Sequence, residues 1–181
     1  GAHKNAIDKF ADKMVGRGVL LDVARYKRKK RLADGYAITV DDLEETAKKQ
    51  GVEVRRGDFV LFNTGQMADC LDKGKWGGYG GGDAPGLAFE TADWIHKKEI
   101  AGICSDTWGI EVRPNETIDG TNQPWHWVTI PYIGIVHGEI WYLRDLVEDC
   151  KKDGIYEFFL CAPPLVITRG TGSPINPQAI K

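Results

Sequence analysis

Residues 85–107 read PGLAFETADWIHKKEIAGICSDT, and the fold is decided there. From Pro85 to Lys98 the apolar residues Leu87, Ala88, Ala92, Trp94 and Ile95 share a side, while Thr91, Asp93, His96 and Lys97 lean outward; this pattern predicts a helix. Ile100-Ala101-Gly102-Ile103-Cys104 is then an unbroken apolar run of buried-strand type, ending in the polar Ser105-Asp106-Thr107. A helix feeding a buried strand that ends in polar side chains is how α/β folds build a site at strand C-termini.

The flanking sequence continues the alternation. Asn5 to Met14 carries a helical stripe of Ala6, Phe10 and Met14, broken by Gly16 and Gly18 before the strand-like run Val19 to Val23. Thr39 reads as an N-cap with Asp42 as its capping-box partner, opening a helix that runs to Gln50 and stops at Gly51. Phe59 to Phe62 is a second buried strand, leading into Asn63-Thr64-Gly65. Farther on, Val128–Ile135 and Gly138–Trp141 alternate irregularly around Pro131 and Gly134. A helix over Leu143–Cys150, a strand over Tyr156–Leu160 and an extended, Pro-rich C-terminus complete the pattern.

Composition limits the function. Twenty-four Lys and Arg against 26 Asp and Glu leave a formal charge of −2, which argues against a strongly basic nucleic-acid binder. The basic run Arg25–Arg31 (RYKRKKR) has one aromatic, Tyr26, and reads as a solvated loop. No apolar run approaches the roughly 18 residues of a membrane helix. Cys70, Cys104, Cys150 and Cys161 are scattered, with no CxxC pair, as expected of reduced core thiols in a cytoplasmic protein. The expectation is therefore a cytoplasmic chain without nucleic-acid or membrane partners. The glycine-rich stretch Lys75–Gly86 (KWGGYGGGDAPG) fits neither the P-loop nor the dinucleotide-binding template and reads as a surface loop carrying Trp76 and Tyr79.

Few residues carry chemistry. His3, His96, His126 and His137 form no close metal-binding pair of the HxxxH kind, and no GxSxG elbow is present. Cys104 lies inside an apolar strand, where a thiol keeps its proton. What survives is His126, between Trp125 and Trp127 in QPWHW, and Glu139, thirteen residues later in VHGEI. Asp106 at its strand end is a further polar candidate, with turn capping as its structural role. Six tryptophans, among them Trp76, Trp125 and Trp127, offer aromatic surface.

Several stretches taken in order carry a resemblance: Gly18-Val19-Leu20-Leu21-Asp22, Arg56-Gly57-Asp58-Phe59-Val60-Leu61 with Thr64-Gly65, Pro85-Gly86-Leu87 with Ala92 and Trp94-Ile95, Ser105 to Glu111, and Gly172-Ser173-Pro174 with Asn176-Pro177. Together they resemble the cyclase family of metal-dependent hydrolases, which includes bacterial kynurenine formamidase and isatin hydrolase. The resemblance implies a swivelling β/β/α-type α/β domain over residues 1–181, with a mixed sheet and flanking helices. It implies hydrolysis of a C–N amide bond in an aryl formamide or cyclic amide, such as N-formylkynurenine or isatin, with zinc or manganese as cofactor. By the same resemblance His126 and Glu139 are catalytic residues and metal ligands; for their aromatic surface, Trp125, Trp127 and Trp76 are the residues expected to bind the substrate, with Trp125 or Trp127 lining the pocket near His126. The His126-to-Glu139 spacing is one residue longer than in the formamidases, and Asn63 stands where many members have Arg. The family's His-x-Gly-Thr-His-x-Asp motif has no counterpart in residues 1–17, so the main ligands are expected upstream of Gly1 and at most two within the chain, which alone would be inactive. Assembly as a homo-oligomer, or with that upstream segment, is expected. A non-catalytic small-molecule-binding or assembly domain on the same scaffold is the alternative.

Overall fold

A computed structural model describes residues 1–116 and 120–181. Its centre is a six-stranded mixed sheet in the order β6-β5-β3-β1-β7-β8. The strands β1 (Val15–Leu21), β3 (Phe59–Phe62), β5 (Gly102–Ser105) and β6 (Val136–Gly138) run parallel, and β7 (Glu157–Cys161) and β8 (Gln178–Ile180) close one side antiparallel. A two-stranded parallel ribbon pairs β2 (Ala37–Ile38) with β4 (Gly86–Leu87). Period-2 alternation sends successive strand residues to opposite faces. Val19, Leu21, Val60, Phe62 and Ile103 accordingly enter one core with Leu43, Trp94, Ile95 and Trp125. Leu20, Leu61, Cys104 and Leu160 enter the other with Trp141, Leu143 and Cys150.

The helices expected near residues 40–50, 85–98 and 143–150 form with adjusted ends, and two short ones, over Val23–Tyr26 and Gln66–Asp72, carry no periodicity that announces them. Helix α1 (Val23–Tyr26) begins on Asp22, whose carboxylate accepts from the Arg25 amide. Helix α2 (Val40–Gln50) has the Thr39–Asp42 capping box and stops at Gly51 in the left-handed region, φ 69°. The short α3 (Gln66–Asp72) follows β3, and α6 (Arg144–Asp153) precedes β7. Helix α4 spans only Thr91–Lys98, because Gly86 and Leu87 are taken by the ribbon. The amino-terminal stripe winds as a short 3-10 turn over Ile7–Phe10.

The irregular stretch after residue 123 is helical: α5 (Pro124–Val128) runs directly into a π-helical turn over Thr129–Ile133 and ends at Gly134, φ 79°. Pro124 suits a first helical position, and Gly134 suits a left-handed stop. The basic run lies at the end of α1 and in the loop behind it, where Lys27 pairs with Asp42 and Arg31 with Asp34. No helix of the described residues is long and apolar enough to cross a membrane.

Candidate metal centre

Strand β6 positions two of the site's side chains. Val136 and Gly138 face the second core, where a side chain on Gly138 would collide with Cys104 Sγ and the Trp141 indole. His137, between them, therefore takes the other face, and Glu139 follows directly after the strand. Helix α5 and its π-turn lie over that face and bring His126 down onto it. His126 Nε2 lies 3.1 Å from a Glu139 carboxylate oxygen, and the two imidazoles meet edge to face with centroids 4.9 Å apart.

Glu111 completes the arrangement from the segment after β5. Its carboxylate lies 2.5 Å from His126 Nδ1 and accepts from the backbone amides of Trp125 and His126 at 3.3 and 3.4 Å, so it also caps α5. The residue is 1 % exposed. It is held there by a bridge to Leu87 that needs Gly86, since a Cβ on Gly86 would lie 2.3 Å from the Glu111 carbonyl carbon.

The electrostatics follow from this packing. Burial alone would lower the His126 pKa, but the hydrogen bonds to Glu111 and Glu139 outweigh it and hold the imidazolium to about 9. His137 goes the other way: burial and the neighbouring His126 push it down to about 3, so it is neutral. Donor atoms of His126, His137 and Glu139 all lie within 4.8 Å of one another. Two imidazoles and a carboxylate, one of them carrying a buried nitrogen without a partner, are a donor set that fits a divalent cation. His137, which the expectation of two donors at most within the chain left out, stands beside these two as a third candidate donor.

A cavity of about 1010 Å³ opens onto this cluster, with His126, His137, Glu139, Trp141, Tyr142 and Ile130 in its walls. None of the three tryptophans expected to bind substrate lines this cavity. Residues two apart on a helix point about 200° apart, so α5 sends Trp125 into the core and Trp127 into solvent. Trp125 is fully buried, donates from its indole to Thr91 Oγ1 at 3.0 Å, and meets the His126 ring edge to face with centroids 5.8 Å apart. Trp127 is 70 % exposed. Trp76 sits edge-on to Tyr79 in the glycine-rich loop, and neither it nor Trp127 lines the cavity. The indole in the cavity wall is Trp141.

Asp106 is structural. Its carboxylate accepts from the Thr64 amide and hydroxyl, both at 2.8 Å, and from the Met67 amide, which ties the ends of β3 and β5 together. Cys104 is fully buried, and burial pushes its thiol pKa up. The signal that could have found His137 was the period-2 spacing in Val136-His137-Gly138-Glu139. Nothing local pointed to Glu111, which lies fifteen residues from His126.

Comparison with known proteins places the fold. A family model described as "Putative cyclase" matches residues 1–112. A crystal structure of a novel cyclase is 34 % identical, with a TM-score of 0.84 over 97 % of this chain and 56 % of that one. Isatin hydrolase A from Ralstonia solanacearum is 21 % identical, with a TM-score of 0.73 over 95 % of this chain and 62 % of its own. A structure described as a potential metal-dependent hydrolase with cyclase activity is 23 % identical, with a TM-score of 0.60 over 98 % and 69 %. The chain spans less than two thirds of the length of the first two. No curated protein matches the chain.

Proposed function

The chain belongs to the cyclase family, and we propose that it forms the acid–base and metal-binding part of a metal-dependent amide hydrolase acting on an aryl formamide or a cyclic aryl amide. The observation that carries this reading is the His126–Glu139 contact at the mouth of a cavity large enough for an aromatic amide. His126 Nε2 and one Glu139 oxygen would hold the cation, zinc or manganese by the chemistry of the donors. A divalent cation supplies Lewis acidity there, polarising a carbonyl and lowering the pKa of water.

The chain's own residues supply the rest. In this reading the second oxygen of Glu139 takes the proton of the attacking water as the new C–O bond forms. The same carboxyl returns that proton to the departing nitrogen as the C–N bond breaks, leaving a carboxylic acid and an amine. Glu111 holds the His126 ring in place while this happens. Trp141 and Tyr142 give the cavity wall two flat apolar surfaces against which an aryl ring packs. A second copy of the chain, or a further segment of a longer protein, is part of this reading, since Trp127, Tyr132 and Ile140 around α5 and β6 are left exposed.

The test is turnover of an N-formyl arylamine and a cyclic aryl amide by zinc- and manganese-loaded protein. Hydrolysis is expected, and His126→Ala should lower it by roughly two to four orders of magnitude. Binding of both amides with no turnover would favour a non-catalytic binding domain instead.

A further inference from the structure

Nδ1 of His137 is buried and has no hydrogen-bond partner among the described residues. Its protonation state can be deduced from its neighbours. The Thr129 hydroxyl has one proton, which it donates to the Trp125 carbonyl at 2.9 Å. The same hydroxyl oxygen lies 2.9 Å from His137 Nε2, so that contact must be an N–H donating to the oxygen. With Nε2–H given to Thr129, Nδ1 is the ring nitrogen left over, and nothing among the described residues meets it. Buried acceptors in folded proteins nearly always have a partner, and one without a donor is costly unless something takes its lone pair.

The surroundings say what would take it. His137 lies on β6 and Glu139 one residue past its end, and the His126 ring stands edge-on to the His137 ring. Donor atoms of the three residues converge within 4.8 Å. On the far side of His126, Glu111 accepts from Nδ1 at 2.5 Å, which turns Nε2 toward Glu139. Each imidazole is thus anchored through one nitrogen and presents the other, and the two present opposite nitrogens. Metal-bound histidines are held in this way, by a carboxylate or another oxygen on the nitrogen that does not bind.

We propose that His137 is a third ligand to the cation of this site, binding through Nδ1, and that Thr129 is the positioning residue that presents that nitrogen, as Glu111 does for Nε2 of His126. This rests on the hydrolase reading above and deepens it: a three-donor site lies within residues 1–181.

The test is a titration of the 20.1 kDa chain with Zn²⁺ alone, followed by imidazole ¹⁵N resonances and by calorimetry. One equivalent of zinc should shift His137 Nδ1 and His126 Nε2, while His137 Nε2 stays protonated. Thr129→Val should weaken zinc binding about 10–100-fold, the usual effect of losing a partner behind a ligand, and Thr129→Ser should restore it. His137→Gln should weaken it at least as much; it fills the space beside Trp125 better than alanine, and circular dichroism checks that each variant folds. A His137 Nδ1 resonance unmoved by zinc, as for a nitrogen that holds only a water, overturns the inference. So does a chain that takes up no zinc. If Thr129→Val and His137→Gln bind zinc normally while His126→Ala and Glu139→Gln lose zinc and turnover, the inference falls and the hydrolase reading stands. If zinc binding and turnover survive all four substitutions, both fall.

Discussion

The Glu111 carboxylate faces three donors, the His126 ring and two α5 amides, in a place water does not reach. Glu111→Gln keeps the shape but turns an amide NH₂ toward at least one of those donors. Turnover should fall about 10–100-fold, as for other partners behind a ligand, and stability by about 1–3 kcal/mol from the unmet hydrogen bonds; Glu111→Asp, which keeps the charge, should recover part of both. The same pocket sets a pH dependence. The folded-state His126 pKa of about 9 stands above the ordinary imidazole value of 6.5. The protonated ring therefore contributes stability fully below about pH 6.5, and this is lost as the pH rises through about 9. Thermal unfolding of the metal-free chain should show a decline across that window, and His126→Gln should flatten it; an unchanged slope would mean that the Glu111–His126–Glu139 pairing is not formed in solution. Sequence alone reached His126 and Glu139 because they stand out as polar groups in apolar context. It could not reach Glu111, whose role arises only when the Gly86–Glu111 approach brings the chain back under α5.

Helix α2 shows how local chemistry makes an element legible: Thr39, Asp42 and Gly51 each carry a backbone requirement that single residues announce. Thr39→Ala removes one side of the capping box and should cost about 1 kcal/mol, or about 2–4 °C in Tm for a domain of this size. Thr39→Ser, which keeps the oxygen, should cost little, and calorimetry of the two variants separates loss of the cap from loss of the Thr39 methyl group. The buried strands β3 and β5 were readable for a similar reason, as apolar runs closed by polar residues. The segment over residues 124–135 was not. Pro131 and Gly134 break any helical period in the sequence, yet Pro131 falls within the π-turn, whose wider winding makes room for it. That one misread element moved the substrate tryptophans. Read as irregular chain, Trp125 and Trp127 could both flank His126 toward the substrate, whereas as a helix they point away from each other.

In the molecule as a whole, the scaffold and the donors come from different lengths of chain. The cyclase match covers residues 1–112, which supply β1, β3, β5 and Glu111, whereas His126, His137 and Glu139 all lie beyond it. The donors converge only because α5 is seated on the Glu111 carboxylate and β6 pairs with β5 in register, Ile103 opposite His137. In the unfolded chain they are eleven and thirteen residues apart along flexible backbone, with no common geometry. A ligand that binds the folded state alone stabilises it by RT ln(1 + [L]/Kd), about 2.7 kcal/mol at a hundredfold excess over Kd. Zinc at that excess should therefore raise the Tm by roughly 5–10 °C, and a chelator should reverse the rise. Glu139→Gln should remove most of it when each variant is referred to its own metal-free Tm, which the lost pairing with His126 lowers below pH 9. A Tm that ignores zinc at every concentration would mean that folding does not assemble the donors into one site, however close they lie. A rise that persists in Glu139→Gln and His126→Gln would place the bound ion somewhere else in the molecule.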